Sequence, residues 1–307
     1  MSTKILMSGH FTLIATSKER GSRIVADFDN LILDQGLDRI AVGNCIGYCQ
    51  IGTGSTTPAV GQTGLVSLSA ASSDTSTVAD VISYVSGATP YTQLIRNYRY
   101  SAGVATGTFS EIGVGWSNTG STLFSRALIL DSGGSPTSIT ILSDEVLDVK
   151  YTFRLYSPTT DVTGTTTIGG DSYTYILRAA DIDNTSIWNP SAFLATAIMS
   201  PTFAFAAYAF ESTATLGSTT GTPTGSSVYS AAAPVHSTYV PGSFTQNYEA
   251  TWGLTENPTG GVKVATFLMS YGGGNSGGMM QMSFSPFIPK DNTKVLKLKV
   301  AATWARV

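Results

Sequence analysis

The chain has 307 residues and a formal net charge of -3 at pH 7, and only 12% of its residues are charged, roughly half the share usual in globular proteins. Its hydrophobic content of 42% is enough for a folded core and excludes wholesale disorder. The acidic balance, without a cluster of Lys or Arg, argues against a nucleic-acid-binding surface. A surface so poor in charge does little to keep copies of the chain apart, which favours a protein covered by partners.

No targeting segment is recognisable in the sequence. The opening stretch, Met1 to Phe11, lacks the apolar core of a secretory signal. The most apolar stretch, Phe203 to Phe210, is too short to span a bilayer and is flanked by Pro201 and Glu211. We therefore expect a chain that is made in a cytosol and has no membrane partner.

The two cysteines, Cys45 and Cys49, are expected to be buried, unreactive thiols. Positions four apart on one strand lie about 13 Å from each other, which is beyond the reach of a disulfide. A disulfide between subunits is the alternative. The pair has no histidine partners in its motif, so it predicts no zinc site.

The first predicted elements are a hairpin and a helix. Phe11 to Thr16 and Arg23 to Phe28 alternate as strands around the polar turn Lys18 to Ser22. The segment LILDQGLDRIA then has apolar residues at helical spacing, with Asn30 as its predicted cap. Gly36 limits this helix to about three turns.

The strand predicted at Cys45 to Thr53 runs into the segment GTGSTTPAVG. The glycines resemble those of a phosphate-binding loop, but the Gly-Lys-Ser/Thr ending is absent and no parallel βαβ pattern follows. We therefore predict a surface turn. Weak strands occupy Leu65 to Gln93. Four further strands follow at the spacing of an antiparallel sandwich: Leu94 to Tyr100, Gly107 to Trp116, Leu123 to Leu130 and Ile139 to Leu142.

The clearest strand is LDVKYTFRLY, Leu147 to Tyr156. Its apolar residues fall on one face, while Asp148, Lys150 and Arg154 fall on the other, as expected for a strand between a core and water. We interpret the polar face as solvated or as a contact between subunits. The segment VLKLKVAATW, Val295 to Trp304, has the same alternation and is interpreted as its counterpart in a second half.

Several segments after Pro158 restate the first half in the same order. PGSFTQNYEATWG parallels TPYTQLIRNYRYSAG, DSYTYILR is matched with HFTLIATS, and Ser186 to Met199 is matched with the helix region. The sequence therefore predicts an all-β chain of two tandem antiparallel sandwich-like domains, residues 1–157 and 158–307, with at most one short helix each. An internal duplication explains the common order; the alternative is that any two β-domains share such patterns.

No catalytic motif is recognisable in the sequence. His10 and His236 are the only histidines, and GWSNTG has the wrong spacing for a nucleophile elbow. We predict no catalytic, cofactor-binding or metal-binding residues, no cofactor and no enzymatic activity. The acidic residues that came closest to a site are interpreted as turn, strand-end or solvated-loop residues: Asp27 with Asp29, Asp144 with Glu145, and Asp181 with Asp183 and Asn184.

Four ordered phrases, DNLILDQGLDRIA, QIGTGSTTPAVGQTGL, FSEIGVGW with LFSRALI, and EVLDVKYTFRLY, resemble structural proteins of tailed bacteriophages, and FSPFIPKDNTKVLKLKVAATWAR resembles their C-terminal strands. The resemblance implies a virion protein of the tail, baseplate, collar or fibre, present in many copies. It implies a homo-oligomer of threefold, sixfold or twelvefold symmetry that contacts other virion proteins. It carries no catalytic residues to transfer.

The alternative function is a receptor-binding tail fibre, an adhesin or a capsid decoration protein, whose partner would be a host-surface glycan. Aromatic residues suited to stacking on sugar rings are Tyr48, Tyr91, Trp116, Trp188, Tyr271 and Trp304. The long uncharged segment Thr213 to Ser230 is predicted to contact an adjacent subunit and to be ordered by it. Ordinary core packing of the aromatic residues is the competing interpretation.

Overall fold

The computed structural model describes residues 1–190, 206–225, 228–231, 235–268 and 278–307. Within these residues the chain is all-β, as predicted, with a single α-helix, α1 (Asp34–Ile40). The strands are, in chain order, β1 (Ser2–Ser17), β2 (Gly21–Asp29), β3 (Leu31–Ile32), β4 (Tyr48–Gly52), β5 (Leu68–Ser72), β6 (Val81–Val85), β7 (Tyr91–Tyr100), β8 (Gly107–Phe109), β9 (Glu111–Gly115), β10 (Leu123–Leu128), β11 (Ile139–Ile141), β12 (Val146–Tyr156), β13 (Val162–Ile168), β14 (Asp171–Ala180), β15 (Ala206–Phe210), β16 (Val228–Ser230), β17 (Val235–His236), β18 (Thr245–Trp252), β19 (Val262–Leu268), β20 (Met279–Ile288) and β21 (Leu296–Arg306).

The described strands form four sheets, of which three large ones build a sandwich-like arrangement and the fourth is the two-stranded sheet β11-β8. Sheet I has the order β17-β18-β21-β1-β12-β7-β6, with β2 added beside β1; sheet II is β3-β10-β9-β4-β5; sheet III is β13-β14-β20-β19-β15-β16. Sheet I packs on both smaller sheets. The ring of Phe153 in sheet I lies 5.9 Å from that of Phe124 in sheet II, and Trp252 donates to the carbonyl of Tyr229 in sheet III over 3.0 Å.

Strand β12 lies inside sheet I, between β1 and β7. Its alternate apolar residues from Leu147 to Leu155 are all fully buried, which confirms the predicted core face. Each such side chain contributes about 1.5–3 kcal/mol of hydrophobic free energy when it leaves water. On the opposite face Asp148 accepts from Arg99 at 2.7 Å, so this charged face is tied to the neighbouring strand.

The first and last strands join the two halves of the chain. β1 and β21 pair in parallel, from Ser2 opposite Ala301 to Met7 opposite Arg306. One hydrophobic cluster also contains buried residues from both halves. The division at residues 157 and 158 falls directly after β12 and stays a prediction. The structure adds that the two halves share sheet I.

The strand order repeats between the halves. The order β3-β10-β9-β4-β5 of sheet II matches β14-β20-β19-β15-β16 of sheet III, and β12-β7-β6 matches β21-β18-β17 within sheet I. The matched strands also follow one another in the same order along the chain in both halves. The topology therefore agrees with the predicted internal duplication.

One sequence match in that duplication was wrong. DSYTYILR forms β14, which pairs with β20 in sheet III, whereas HFTLIATS lies in β1 of sheet I. Strand β14 thus corresponds in topology to β3. Most of the segment matched with the helix region, residues 191–199, lies outside the described residues.

Two local predictions in the first half were also wrong. The N-cap of α1 is Leu33, with no side-chain cap bond, and Asn30 instead donates to Ser125 Oγ at 3.0 Å. The stretch predicted as one strand, Gly107 to Trp116, is divided between β8 and β9. The break occurs at Ser110, whose amide donates to Gly52 at 2.9 Å and whose hydroxyl donates to Gly54 at 2.9 Å.

Candidate interaction surfaces

The histidine and carboxylates considered for catalysis meet on the outer face of β1 and β2. His10 Nδ1 lies 2.8 Å from Asp29 Oδ1, and His10 Nε2 lies 2.9 Å from Asp27 Oδ1. Thr12 also donates to Asp27 at 2.6 Å. The pKa of Asp27 is lowered, chiefly by that hydroxyl bond and then by His10, against the opposing effect of burial. Both ring nitrogens of His10 are therefore engaged by carboxylates in a hydrogen-bonded surface cluster.

Asp144 and Glu145 hold the turn before β12. Asp144 accepts from Arg20 at 2.7 Å. Glu145 is buried, accepts from the amide of Leu142 at 2.9 Å and bonds Arg23. The Arg23 bond and the Leu142 amide lower the Glu145 pKa to about 2. These contacts agree with the interpretation of both acids as turn residues.

The acidic loop after β14 folds on itself. Asn184 Nδ2 donates to Asp181 Oδ2 at 3.1 Å, and the amide of Ser186 donates to Asn184 Oδ1 at 3.0 Å. Across the described part of the chain, no three His, Cys, Asp or Glu residues are grouped so that they could hold a metal ion.

The segment that resembled a phosphate loop covers sheet II and surrounds an internal carboxylate. The amides of Gly54, Val66 and Ser67 donate to Glu111 over 2.9, 3.0 and 2.7 Å. Arg126 Nη2 also donates to Glu111 Oε2 at 2.7 Å, and both charged side chains are fully buried. Burial alone would raise the pKa of Glu111, but the amide bonds and Arg126 lower it. The loop therefore binds an anion that belongs to the chain itself.

A second uncharged loop covers sheet III in the same way. Gln281 on β20, also fully buried, accepts from the amide of Gly217 at 2.7 Å and donates to the carbonyl of Ser218 at 2.9 Å. Arg178 donates to Gly217 at 2.7 Å. Within the described residues of the segment Thr213 to Ser230, Gly217 and Ser218 thus have partners in their own chain; that a neighbouring subunit orders the segment stays a prediction. Its contact with a neighbour stays a prediction.

A shared signal for these two loops was missed in the sequence. Both contain Gly-Ser-Thr-Thr, at residues 54–57 and 217–220, and both connect matched strands, β4 to β5 and β15 to β16. Arg126 donates to the carbonyl of Thr56 at 2.8 Å, as Gln281 does to Ser218. The repeated tetrapeptide marks the loop that crosses the outer face of each smaller sheet.

Among the described residues, the aromatic side chains proposed for sugar stacking separate into a buried and a half-buried group. Trp188 and Trp304 are buried, and their indole nitrogens donate to Ala180 and Leu37, each over 2.8 Å. Tyr91 is half-buried, and its ring centroid lies 5.4 Å from that of Tyr156. The two tryptophans therefore serve core packing.

The remaining three aromatic candidates give less support to a sugar-stacking surface. Trp116 is half-buried under Arg39, whose guanidinium carbon lies 4.9 Å from the ring centroid, and Tyr48 is half-buried in β4. Tyr271 lies outside the described residues.

Both cysteines are buried, as expected, and they form no disulfide with each other. Cys49 lies in β4 and Cys45 precedes that strand. Burial raises the pKa of each thiol to about 12.

The longest open strand edges belong to β2 and β13. Among the described residues β2 pairs only with β1, and β13 pairs only with β14. The sequence of β13, VTGTTTI, has no charge, no proline and no bulge in its pairing. Lysine, proline, bulges and short length are the usual protections of an edge strand. Strand β13 lacks all of these.

Cavities flank β13 on both faces, and lysines line them. One of about 550 Å³ contains Thr163, Thr165 and Lys263. The other, of about 320 Å³, contains Thr165 to Thr167 with Lys297 and Lys299. The uncharged edge thus lies between positively charged side chains.

Comparisons with family models, with curated proteins and with solved structures give no match to this chain. In the described ranges, no helix combines the length and the apolar character needed to cross a membrane.

Proposed function

We propose that the chain is a non-enzymatic structural protein of a tailed-phage virion. In this proposal, copies of the chain associate side by side into a symmetric ring or sleeve at the tail, baseplate or neck. The single observation that carries the proposal is the unprotected edge of β13, which no other described strand covers. The resemblance of the ordered sequence phrases to phage structural proteins supports the location.

The physical argument concerns unpaired backbone groups. An edge strand presents N–H and C=O groups that a second chain satisfies by adding a strand. Monomeric proteins protect such edges, whereas β13 combines high β-propensity threonines with an absence of charge. This combination favours association with another strand.

The repeated topology favours rotational symmetry. Because the halves have the same strand order, one chain offers two similar units. A trimer of such chains mimics sixfold symmetry, and a hexamer mimics twelvefold symmetry.

Light scattering and electron microscopy of the purified protein test the proposal. We expect closed rings at micromolar concentration, and antibody labelling at the neck, tail or baseplate of phage particles that carry this chain. A monomer that fails to add to such particles would contradict it.

One observation favours the adhesin alternative. Tyr91 and Tyr156 lie side by side, and Arg154 is placed over Tyr91 at 5.4 Å. A neighbouring cavity of about 410 Å³ contains Leu6, Tyr156 and Lys4. Aromatic rings beside cationic groups suit a sugar ligand. Labelling confined to distal tips, with glycan binding that Tyr91→Ala removes, would favour this function over the ring.

A further inference from the structure

On the edge of β13 to which no described strand is paired, the outward-facing backbone groups can be assigned. The hairpin β13–β14 has a two-residue loop, Gly169-Gly170, with positive φ at both glycines, as in a type I′ turn. The turn bond pairs Ile168 with Asp171, and bonded and non-bonded positions alternate along an antiparallel ladder. Thr163, Thr165 and Thr167 therefore direct their N–H and C=O groups away from β14.

The open edge of β2 can be assigned in the same way. The amide of Asn30 donates to the carbonyl of Gly9 at 3.1 Å, so Gly9 faces β2. Phe28, two residues before Asn30, also faces β1 by alternation. Asp27 and Asp29 therefore direct their backbone groups outward, and their side chains are 57% and 78% exposed.

The two edges differ in the sign of their charge. Three lysines line the cavities beside β13, and Glu249 contacts two of them, Lys297 and Lys299, at 3.2 and 3.4 Å. At the ends of β13, Asp161 is paired with Arg178 at 2.6 Å, and Asp171 lines a cavity with Lys290 and Lys294. Lysine charge therefore exceeds carboxylate charge along β13.

At the Asp27–Asp29 end of β2 the exposed carboxylates are Asp27 and Asp29, with His10 between them and Lys150 near Asp27. At the other end, Arg23 and the preceding Arg20 are exposed as well, but each is paired with a carboxylate, Glu145 and Asp144 respectively.

We propose that β13 of one copy pairs with β2 of the next copy, so that sheet III of the first continues into sheet I of the second. The inference rests on the proposed self-assembly and names its contact. Pairing β2 with β2 would oppose carboxylates, and pairing β13 with β13 would oppose lysines, whereas the mixed pairing joins opposite signs. A contact between two different edges repeats from copy to copy and closes as a ring.

Two proline variants test the contact. Thr165→Pro removes one outward N–H without removing a bond to β14, and proline is tolerated at such edge positions. Thr165→Val keeps the N–H and is its control. Asp27→Pro acts in the same way on β2, and Asp27→Glu, which keeps both the N–H and the negative charge, is its control. Thermal unfolding within a few degrees of each control establishes that the variant is folded.

Molar mass from light scattering gives the result. We expect wild type and both controls to form the oligomer, and each proline variant alone to stay monomeric. An equimolar mixture of the two proline variants retains one intact β13 edge and one intact β2 edge. We expect this mixture to form a dimer.

The outcomes separate this inference from the proposed function. A wild-type protein that stays monomeric contradicts self-assembly itself. A wild-type oligomer that persists in folded Thr165→Pro contradicts only the β13–β2 contact. Dimers formed by Asp27→Pro alone would show that β13 pairs with itself, which also overturns the inference.

Charge variants provide a second test that does not depend on proline. We make two double variants, Lys297→Glu with Lys299→Glu and Asp27→Lys with Asp29→Lys. Each should raise the protein concentration at which half of the chains are assembled by at least tenfold. All four substitutions in one chain should recover most of this loss. Unchanged assembly of the two double variants would overturn the inference.

Discussion

Glu111 and Arg126 form an ion pair of 2.7 Å in which neither side chain is exposed. Three backbone amides donate to Glu111, and Arg126 also donates to the side chain of Gln62 and to the carbonyl of Thr56. A buried charge pair is weak evidence for stability, because removing both charges from water is costly. Loss of one partner, however, leaves the other buried without compensation.

Arg126→Met should therefore lower the free energy of unfolding by about 3–5 kcal/mol. Urea denaturation measures this loss, and protease cleavage within residues 53–67 reports release of the covering loop. The control is Arg99→Met, whose partner Asp148 lies in a partly exposed pair and which should cost at most about 1 kcal/mol. A loss below that control would contradict the prediction.

Gly36→Ala should destabilise the protein, although alanine normally stabilises a helix by about 1 kcal/mol relative to glycine. A Cβ at Gly36 would lie 2.1 Å from the carbonyl oxygen of Phe124, so α1 would have to move away from β10. We expect a loss of about 1–3 kcal/mol in urea denaturation. Gly61→Ala is the matched control, because nothing lies within 4 Å of its added Cβ. An unchanged or raised stability of Gly36→Ala would refute this packing.

Glu145 should make folding stability dependent on pH in the acidic range. Its pKa falls from 4.5 to about 2 on folding, so the unfolded chain binds the proton more tightly. The stabilisation is therefore complete above about pH 4.5 and is lost as the pH falls toward 2. The unfolding temperatures of wild type and of Glu145→Gln should differ at pH 7 and converge near pH 2. Asp144→Asn, in the exposed pair with Arg20, should show a smaller difference. A difference in unfolding temperature between wild type and Glu145→Gln that stays constant with pH would exclude this assignment.

Cys45 and Cys49 should not react with a thiol reagent in the folded protein. Their pKa values near 12 leave almost no thiolate at pH 8, and burial blocks access. Ellman's reagent should label both thiols only after denaturation. Rapid labelling of the native chain, or a reducible dimer on a gel, would instead support the disulfide between subunits.

Much of the fold could be predicted from local patterns. The hairpin around Lys18 to Ser22 forms as predicted, since alternating residues around a polar turn specify strands without knowledge of their partners. The candidate site could not be predicted in this way. His10 meets Asp29 only because β1 and β2 are in one register, and the lysines beside β13 come from β19 and β21, about 90 or more residues away.

The sequence by itself determined the all-β class, the buried face of β12 and the alternating character of β21, because period-two alternation of apolar residues is a local property. Only the tertiary structure decided that β1 and β21 pair in parallel and that the amides of the glycine-rich loop bind Glu111. It also decided that each of β13 and β2 has one edge to which no other described strand is paired. These facts depend on which strands meet. Strand pairing is non-local, and backbone hydrogen bonds carry little information about the identity of their partner.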